Sequence, residues 1–474
     1  MIIKKIKILS NPSVTGWIYN LIQISSVVFI LPLILKQFSV VEVSFWLLLS
    51  TIAGFALITD MGFSNTLIRC VSLFRAGVKE LPEDVSGEEL ANIESPIINV
   101  RGLYTLLKTI KKVYLYINTG CFVLIIIFGF FLCYNLFTMS NNSSNLFLAF
   151  GITCIYSTIN VATSMWSSYA QGLGLIHKTN YIKVVTGSIK LLTLIILLLL
   201  GSKLWLLTVV LLFEAFVNYF VAKQIVSKFL SSLPNDLNST IEFDKGIFKI
   251  LWKPTWRMAG IKLGGYLINQ GNAIIVAQIP NPAIIASFMF TKRMLDFLGA
   301  ISLVPFSVNI NNVYSNFVSK NNQDFRREIS VLLFLGVGIF TIGSIGIGLF
   351  GNPLLKFAHI DSYILTGSAF VILALTSLLE IHHSMHAGIY MASNKVPFLI
   401  PALASGILIL TLGFLFVSEI GVIGLILIQF FVQLALNNWY PVYLSLRLTK
   451  WPVRKYIYEM PLYGFGGLKN FIKR

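Results

Sequence analysis

Five cations lie inside two long stretches of apolar sequence, residues 251–278 and 284–306. They are Lys253, Arg257, Lys262, Lys292 and Arg293. A charge at the centre of a lipid-facing helix costs roughly 2.5–3.5 kcal/mol, so five of them would cost on the order of 10 kcal/mol. We therefore expect these side chains to face protein or water. A hydrated, cationic interior indicates that an anion binds or passes there.

The five cations differ in their expected depth. Lys253 and Arg257 lie near the cytoplasmic end of their stretch, where long side chains can also reach the membrane surface. The other three lie deeper, and Asp296 follows Lys292 by four residues and Arg293 by three, so it can neutralise one of them. All five are candidate substrate-binding residues, and we expect at least one of the deeper three to line a cavity.

A second set of charges lies in the first half of the chain. Lys190 and Glu214 lie near the middle of two successive apolar stretches. The sequence leaves two alternatives: the two residues form a structural ion pair, or Glu214 is expected to take and release a proton during transport. Asp60, near the end of an apolar stretch, either couples transport to an ion or contacts the start of the next helix. Lys190 joins the candidate substrate-binding cations, and Asp60, Glu214 and Asp296 are candidate ion-coupling residues.

Three histidines follow a glutamate in LLEIHHSMHAGIY. Glu380, His383 and His386 are spaced by three, which predicts a titrating cluster on one helix face, since histidine changes charge near neutral pH. Hydrogen bonding between helices is the alternative. The HHxxxH spacing is also compatible with zinc, but no cysteine or second acidic cluster completes a tetrahedral site. We expect no metal and no cofactor.

Composition places the chain in the membrane. Of its 474 residues 56% are hydrophobic and 12% charged, with a mean hydropathy of +0.80, whereas soluble domains carry about 25% charged residues. The net charge of +17 would suggest a nucleic-acid partner in a soluble protein. Here the basic residues lie mostly between apolar stretches, where they determine topology, so no nucleic acid is expected. The four cysteines lack CxxC spacing and are predicted to be packing residues.

The apolar stretches predict an all-α integral membrane protein. At about 20 residues per crossing, continuous apolar runs indicate helices rather than a barrel. The twelve predicted spans are residues 14–36, 40–62, 113–136, 146–170, 183–201, 204–226, 251–278, 284–306, 330–352, 364–391, 397–418 and 421–447.

Charge between the spans predicts the orientation. The termini and alternate connections carry 26 basic residues, whereas the opposite connections carry only Lys36, Lys203 and Lys356. The positive-inside rule therefore places both termini in the cytoplasm. The predicted parts are a six-helix bundle (1–226) with a cytoplasmic loop (63–112), a cytoplasmic linker (227–250), a second bundle (251–447) and a basic cytoplasmic tail (448–474).

The two halves show a weak internal repeat. SSYAQGLGLIHKTNYIKVVTGSIKLL in spans four and five is similar to HHSMHAGIYMASNKVPFLIPALASGIL in spans ten and eleven, with Gly172 aligned to Gly388. An offset of six spans preserves orientation, so the halves are predicted to be parallel repeats with a substrate site between them.

Four segments resemble one known group. TDMGFSNTLIR (Thr59 to Arg69) resembles the Asp-x-Gly segment that closes span two of Wzx-type polysaccharide flippases. These belong to the MATE-like multidrug/oligosaccharidyl-lipid/polysaccharide (MOP) exporter superfamily. Similar segments are GIYMASNKVPFLI, EIGVIGLILIQFF and ASFMFTKRMLDFLGAISLVPFS. The chain departs from the group at Asn272, where related sequences often have an acid, which argues against ion coupling at this position.

The resemblance implies two six-helix bundles in a V around a cavity that opens alternately to each side of a bacterial inner membrane. It implies a substrate of undecaprenyl-pyrophosphate-linked oligosaccharide, such as an O-antigen or capsule repeat unit, moved to the periplasmic leaflet with proton or sodium coupling. Membrane lipids, a polysaccharide polymerase and a chain-length regulator are the candidate partners.

Two other functions are compatible with a twelve-helix protein. A polymerase or acyltransferase of envelope glycan assembly would be expected to show sizeable outward loops or a nucleophile motif, and the sequence has neither. A drug exporter of the same fold would favour acidic cavities for cationic drugs, whereas the deep charges here are mostly basic. The sequence therefore favours a transporter without enzymatic activity.

Overall fold

The computed structural model describes residues 12–81, 98–140, 143–234, 242–319, 322–360, 363–393 and 397–472. Within these ranges the regular structure is entirely helical, as predicted. The first helices are α1 (Pro12–Gln37), α2 (Val40–Ile58), α3 (Phe63–Arg75), α4 (Val100–Met139), α5 (Ser143–Gly172), α6 (Ile176–Leu199) and α7 (Leu204–Ser231). The later ones are α8 (Lys245–Val276), α9 (Pro282–Ser302), α10 (Val304–Ser319), α11 (Asn322–Phe357), α12 (Gly367–Met391), α13 (Leu399–Val432), a π-helical turn (Gln433–Asn437), α14 (Trp439–Leu448) and α15 (Val453–Ile472).

Eight of the described helical segments are long and apolar enough to cross a membrane, so the chain is a multi-pass membrane protein. They are α2, α4, α5, α6, α7, α11, α12 and the continuous segment Leu399–Leu448. The helices α1, α8 and α9, predicted as spans one, seven and eight, are outside this set. In α8 and α9, charged and amide side chains interrupt the apolar sequence. The number of twelve spans stays a prediction.

Two predicted connections contain helices. The segment 63–112, predicted to be cytoplasmic, contains α3, and α4 begins at Val100, well before the predicted start of span three. The side chain of Asn99 caps α4 by accepting a hydrogen bond from the Gly102 N–H at 2.8 Å. Predicted span eight ends earlier than residue 306, because α9 ends at Ser302 and the chain continues after Leu303 as α10.

The helix α13 turns back on itself at Gly421. Its φ of 59° and ψ of −163° lie outside the helical region. Before Gly421, successive residues of α13 contact later and later residues of α8: Gly406 contacts Leu267 and Gly413 contacts Ile275. After Gly421 the order reverses, because Leu425 contacts Asn272 and Gln429 contacts Ile268. The two parts of α13 therefore run antiparallel, as predicted for spans eleven and twelve.

The predicted basic tail contains a packed helix, α15. Glycines at positions 464 and 467 allow α15 to approach α11 closely, because a Cβ at Gly467 would lie 2.4 Å from Val331 Cγ2. Next to this contact the rings of Phe334 and Phe465 are 6.5 Å apart. The sequence predicted only a basic tail here, whereas α15 also has a face that packs on α11.

The chain forms two compact units, residues 1–263 and 264–474. In the first, α5 is central and packs against α2, α3, α4, α6 and α7. In the second, α11 packs against α9, α10, α12 and α15, and α12 packs against α9, α13 and α14. The division falls within α8, after Leu263, whereas the sequence placed a linker at 227–250. The predicted domain bounds stay predictions.

The same packing recurs in both units, which supports the internal repeat. Gly172, at the end of α5, lies against α3, where a Cβ would be 2.5 Å from Val71 Cβ. Gly388, in α12, lies against α10, where a Cβ would be 2.6 Å from Phe306 Cε1. The helix α3 follows predicted span two and α10 follows predicted span eight. The contact therefore repeats with the same offset of six spans.

Candidate functional site

Asp60 lies buried in the first unit, in the turn that joins α2 to α3. The turn is tight because Met61 and Gly62 both have positive φ values, 52° and 85°. Gly62 is required by close approach as well, since a Cβ there would lie 2.8 Å from Met258 Cβ of α8. The Asp60 carboxylate accepts from the Ser64 N–H at 3.4 Å. The predicted contact of Asp60 with the start of the next helix is therefore present.

Hydroxyl groups and one cation surround the same carboxylate. Ser64 donates to Asp60 Oδ1 at 3.0 Å, the Tyr114 hydroxyl donates to the same oxygen, and Ser164 Oγ lies 3.1 Å from it. Lys262 Nζ lies 3.5 Å from Asp60 Oδ2. These partners come from α3, α4, α5 and α8, so this carboxylate connects four helices of the first unit. We call this the Asp60 site.

Lys262 lies on a different face of α8 from the two cations that precede it. At about 100° per residue, it is about 140° around the helix from Arg257. Lys253 and Arg257 are exposed, and so is Lys249, one turn earlier. We call Lys249, Lys253 and Arg257 the basic stripe. The three predicted cations of α8 therefore do not follow one path along this helix, because Lys262 faces the Asp60 site.

Aromatic side chains accompany the basic stripe. Trp252 and Trp256 are 42% and 46% exposed, and the ring of Trp256 lies 5.6 Å from the Arg257 guanidinium. The ring centroid of Trp252 lies 6.2 Å from that of Phe248 and 6.0 Å from that of Phe63. The stripe therefore has rigid apolar surfaces beside its charges.

Lys190 and Glu214 form the ion pair that the sequence predicted as one alternative. Lys190 Nζ lies 3.0 Å from Glu214 Oε2, and both side chains are largely buried, at 9% and 14% exposure. One turn before Lys190, Thr186 lies 3.0 Å from Asn218 Oδ1 and also connects α6 to α7. Neither charge is available to substrate in this arrangement.

The second unit contains a cavity of about 260 Å³ between α8, α9, α12 and the end of α13. Lys292 and Asp296 line it and form an ion pair within α9, with Lys292 nearly buried. Arg293 is exposed and lies outside the lining. The prediction that Asp296 neutralises one deep cation therefore applies to Lys292. We call this space the C-terminal cavity.

Amide side chains, which were not predicted as site residues from the sequence, form one wall of the C-terminal cavity. Asn269, Gln429 and Gln433 line it. Behind them, Asn272 donates to Gln429 Oε1 at 2.7 Å, and Gln429 donates to the Ile268 carbonyl at 3.0 Å. Asn272, at the position where the sequences that the chain resembles often have an acid, thus joins α8 to α13. Amides inside membrane helices are the signal that would have found this wall, because their desolvation is costly without partners.

The three residues spaced by three in α12 do not share one environment. Glu380 lines the C-terminal cavity, and His383 Nδ1 lies 3.9 Å from its carboxylate. His386 is fully buried elsewhere, with Nδ1 2.5 Å from Ser445 Oγ and Nε2 3.0 Å from the Tyr456 hydroxyl. Six residues correspond to about 600°, so His386 lies about 120° from Glu380. The predicted single cluster is therefore wrong for His386, which connects helices.

No protein-family model matches the sequence, and a search of curated proteins gives no match. Solved structures do match across most of the chain. Lipid II flippase MurJ in an inward closed conformation is 12% identical with a TM-score of 0.59, covering 96% of this chain and 90% of that one. An inward-facing multidrug resistance MATE family transporter of the MOP superfamily is 12% identical with a TM-score of 0.56, covering 90% and 96%.

The chain has the MOP transporter fold. A third structure with this fold is a MOP superfamily transporter from Pyrococcus furiosus Vc1. It is 14% identical with a TM-score of 0.56, and the match covers 94% of this chain and 96% of that one. The reverse polarity of that transporter's binding pocket suggests a different function for it. The MOP fold agrees with the superfamily predicted from the sequence. At these identities the likeness concerns the fold alone, because one fold can serve different substrates.

Proposed function

We propose that this protein is a flippase of the bacterial inner membrane. It moves undecaprenyl-pyrophosphate-linked oligosaccharide, such as an O-antigen or capsule repeat unit, from the cytoplasmic to the periplasmic leaflet by alternating access. The observation that carries this proposal is the basic stripe of α8, whose three cations are exposed in a helix of a transporter fold. A lipid II flippase, MurJ, has a similar fold.

The basic stripe suits a pyrophosphate group. Its members are four residues apart, so they advance by about one helical turn each and lie within about 80° of one another. An ion pair at 4 Å is worth about 1 kcal/mol in bulk water and about 4 kcal/mol at an effective dielectric constant of 20. Cations in a hydrated path therefore hold an anion without trapping it, and the exposed indoles of Trp252 and Trp256 offer surfaces for sugar rings.

The fold does not separate a flippase from a drug exporter, since MATE transporters share it. Charge favours the flippase. Three of the buried or half-buried cations, Lys190, Lys262 and Lys292, each have a carboxylate partner. Arg257 and Lys249 form no ion pair among the described residues. The accessible charge of the described part of α8 is thus positive, which is suited to an anionic headgroup and opposes a cationic drug.

Coupling to an ion gradient is assigned to the paired carboxylates. Asp60, Glu214 and Asp296 each bind a lysine, so protonating one of them removes an ion pair and frees a cation. Glu380 and His383 form a further candidate pair, while His386 is enclosed by Ser445 and Tyr456. Of these, the Asp60 carboxylate has partners on four helices, so its protonation affects the contacts of all four.

The proposal is tested with the double variant Lys253→Gln/Arg257→Gln. Surface polysaccharide and the lipid-linked repeat unit in the cytoplasmic leaflet are measured in cells that depend on this chain. We expect loss of surface polysaccharide together with accumulation of the lipid-linked unit, because the headgroup loses its cationic contacts. Lys228→Gln, which removes an exposed cation at the end of α7, is the matched control and is expected to behave as wild type.

Normal display with a normally expressed double variant would contradict the role of the basic stripe. Single Gln variants of Lys262, Lys292 and Arg293 extend the same measurement to the deeper cations. If the variants display a normal amount of surface polysaccharide but the cells lose resistance to a cationic drug, the result would favour the drug exporter instead.

A further inference from the structure

The C-terminal cavity has unsatisfied polar atoms that the proposed pyrophosphate contact does not use. Gln433 is fully buried, yet neither its Nε2 nor its Oε1 has a hydrogen-bond partner among the described residues. Glu380 Oε2 also lacks one. Buried polar groups in native proteins are nearly always satisfied by protein, water or a ligand. Gln433 begins a π-helical turn (Gln433–Asn437), a feature frequent at functional sites.

Donors and acceptors are mixed on the cavity wall. Thr376 and Ser377 donate their hydroxyl hydrogens to the carbonyls of Ile372 and Leu373, at 2.8 and 3.0 Å, which leaves their oxygens as acceptors. Asn269 likewise donates to the Gly265 carbonyl at 2.9 Å and keeps its oxygen. Together with Gln433, which offers both an amide donor and a carbonyl acceptor, this wall suits groups that donate and accept at once.

The charge of the cavity argues against both a phosphate and a metal ion. The only described cation of the Lys and Arg type that lines it, Lys292, is bound to Asp296, and Glu380 adds a second carboxylate. An anion would therefore meet a net negative charge. A metal ion would leave the Gln433 amide without an acceptor and would lie in the same small space as the Lys292 ammonium.

We propose that the C-terminal cavity binds one uncharged sugar residue of the lipid-linked glycan. This inference rests on the proposed flippase function and names the part of the substrate that the second unit contacts. Sugar hydroxyls both donate and accept, so they match the unsatisfied atoms of Gln433 and Glu380. Leu295, Leu373 and Ile381 line the same cavity and offer an apolar surface to the C–H face of the ring.

The size of the cavity sets the number of sugars. At about 260 Å³ it is smaller than the roughly 300–1,000 Å³ pockets that hold drug-sized ligands. It accommodates one ring, so the remaining sugars and the pyrophosphate lie outside it. The protein therefore selects one position of the repeat unit by hydrogen bonding, while the basic stripe contacts the part that all such substrates share.

The test uses the purified full-length chain in detergent and a panel of free neutral monosaccharides. Binding is followed by saturation-transfer NMR, with inorganic pyrophosphate followed separately by phosphorus line broadening. We expect saturation transfer to at least one monosaccharide, weakened at least tenfold by Gln433→Leu and by the smaller change Ser377→Ala. Pyrophosphate binding is expected to be unchanged in these two variants and weakened by Lys253→Gln/Arg257→Gln.

Gln224→Leu, an amide-to-leucine change at an exposed position of α7, is the matched control, and thermal unfolding verifies that each variant is folded. Absence of sugar binding to the wild type, or equal binding to wild type and both cavity variants, would overturn the proposal. Stabilisation by NaCl that Gln433→Leu abolishes, without any sugar binding, would identify a cation site instead. Because the basic-stripe variant is measured separately, the sugar site can fail while the flippase function stands.

Discussion

Ion pairing decides what each deep cation can do. The sequence shows five cations in two apolar stretches, but their partners come from elsewhere. Lys262 pairs with a carboxylate 202 residues earlier, whereas Lys292 pairs within its own helix. A paired lysine contributes little net charge to a cavity. The exposed cations of the basic stripe therefore replace the cluster of five as the cationic surface.

The buried pair Lys190–Glu214 gives a stability prediction. Lys190→Met leaves Glu214 buried without its partner, and breaking a buried pair in this way costs about 3–5 kcal/mol. The double variant Lys190→Met/Glu214→Leu removes both charges and is expected to recover most of that loss. Thermal unfolding of the purified protein measures both. Lys178→Met, an exposed position of the same helix, is the control, and equal losses in single and double variants would contradict the prediction.

The cysteines give a reactivity prediction. All four are buried, and outside the membrane spans burial raises the pKa of the Cys70 thiol to about 11. Since the thiolate is the reactive form, Cys70 stays protonated and unreactive between pH 7 and 8. We expect the folded protein to resist maleimide at pH 7.5 and to take up four labels after denaturation in SDS, measured by intact mass. Rapid labelling of Cys70 before denaturation would contradict its burial.

At the scale of elements, close helix approach shapes the second unit. Two neighbouring glycines of α8 differ sharply in their surroundings: a Cβ at Gly264 would lie 2.6 Å from the Ala402 backbone, whereas at Gly265 nothing lies within 4 Å. The helix α8 therefore approaches α13 closely at Gly264. Asn272 of α8 also donates to Gln429 of α13 at 2.7 Å, so the packing of these two helices positions the amide wall of the C-terminal cavity.

Gly264→Ala is therefore expected to destabilise the protein by about 1–3 kcal/mol, the usual cost of overpacking. Gly265→Ala is the matched control. It adds the same methyl group to open space and is expected to be neutral or stabilising by up to about 1 kcal/mol, because alanine favours the helix. Thermal unfolding in detergent measures the difference, and equal stabilities of the two variants would contradict the close contact of α8 with α13.

For the whole molecule, the predicted orientation determines which way the substrate moves. The charge bias between the connections is large, and the helices α2, α4 to α7, α11 and α12 are long enough to cross. The sidedness itself is an expectation from the positive-inside rule. If it is inverted, the basic stripe begins at the outer face and the proposed direction of transport fails.

The two ends of α7 provide a test of orientation. Ser202 precedes this helix on the side predicted to face outward, and Ser232 follows it on the cytoplasmic side. Because the native cysteines are buried, Ser202→Cys and Ser232→Cys can be compared in the otherwise unchanged chain. We expect a membrane-impermeant maleimide to label Ser202→Cys in spheroplasts and Ser232→Cys only after permeabilisation. The reverse pattern would show inverted orientation, and labelling of both from outside would show that α7 does not cross.

The sequence by itself determined the class of protein and the positions at which a charge inside an apolar stretch is energetically costly. Hydropathy is a property of each segment, so membrane helices and their buried charges are visible without a fold. The motif resemblance at Thr59 to Arg69 and near Gly388 also gave the superfamily whose fold the structure shares. Local rules worked at short range too, since Lys292 and Asp296 pair at the four-residue spacing that the sequence predicted.

Only the tertiary structure decided which distant groups meet. The Asp60 site gathers residues of four helices, and the packing of α8 on α13 determines which amides line a cavity. Spacing along one helix could not predict these contacts between distant helices. A step of three residues falls short of a full turn by about 60°, so the error accumulates from Glu380 to His386 and places them on different surfaces. Periodicity predicts a face over one turn, and the packing of helices distant in sequence determines what that face contacts.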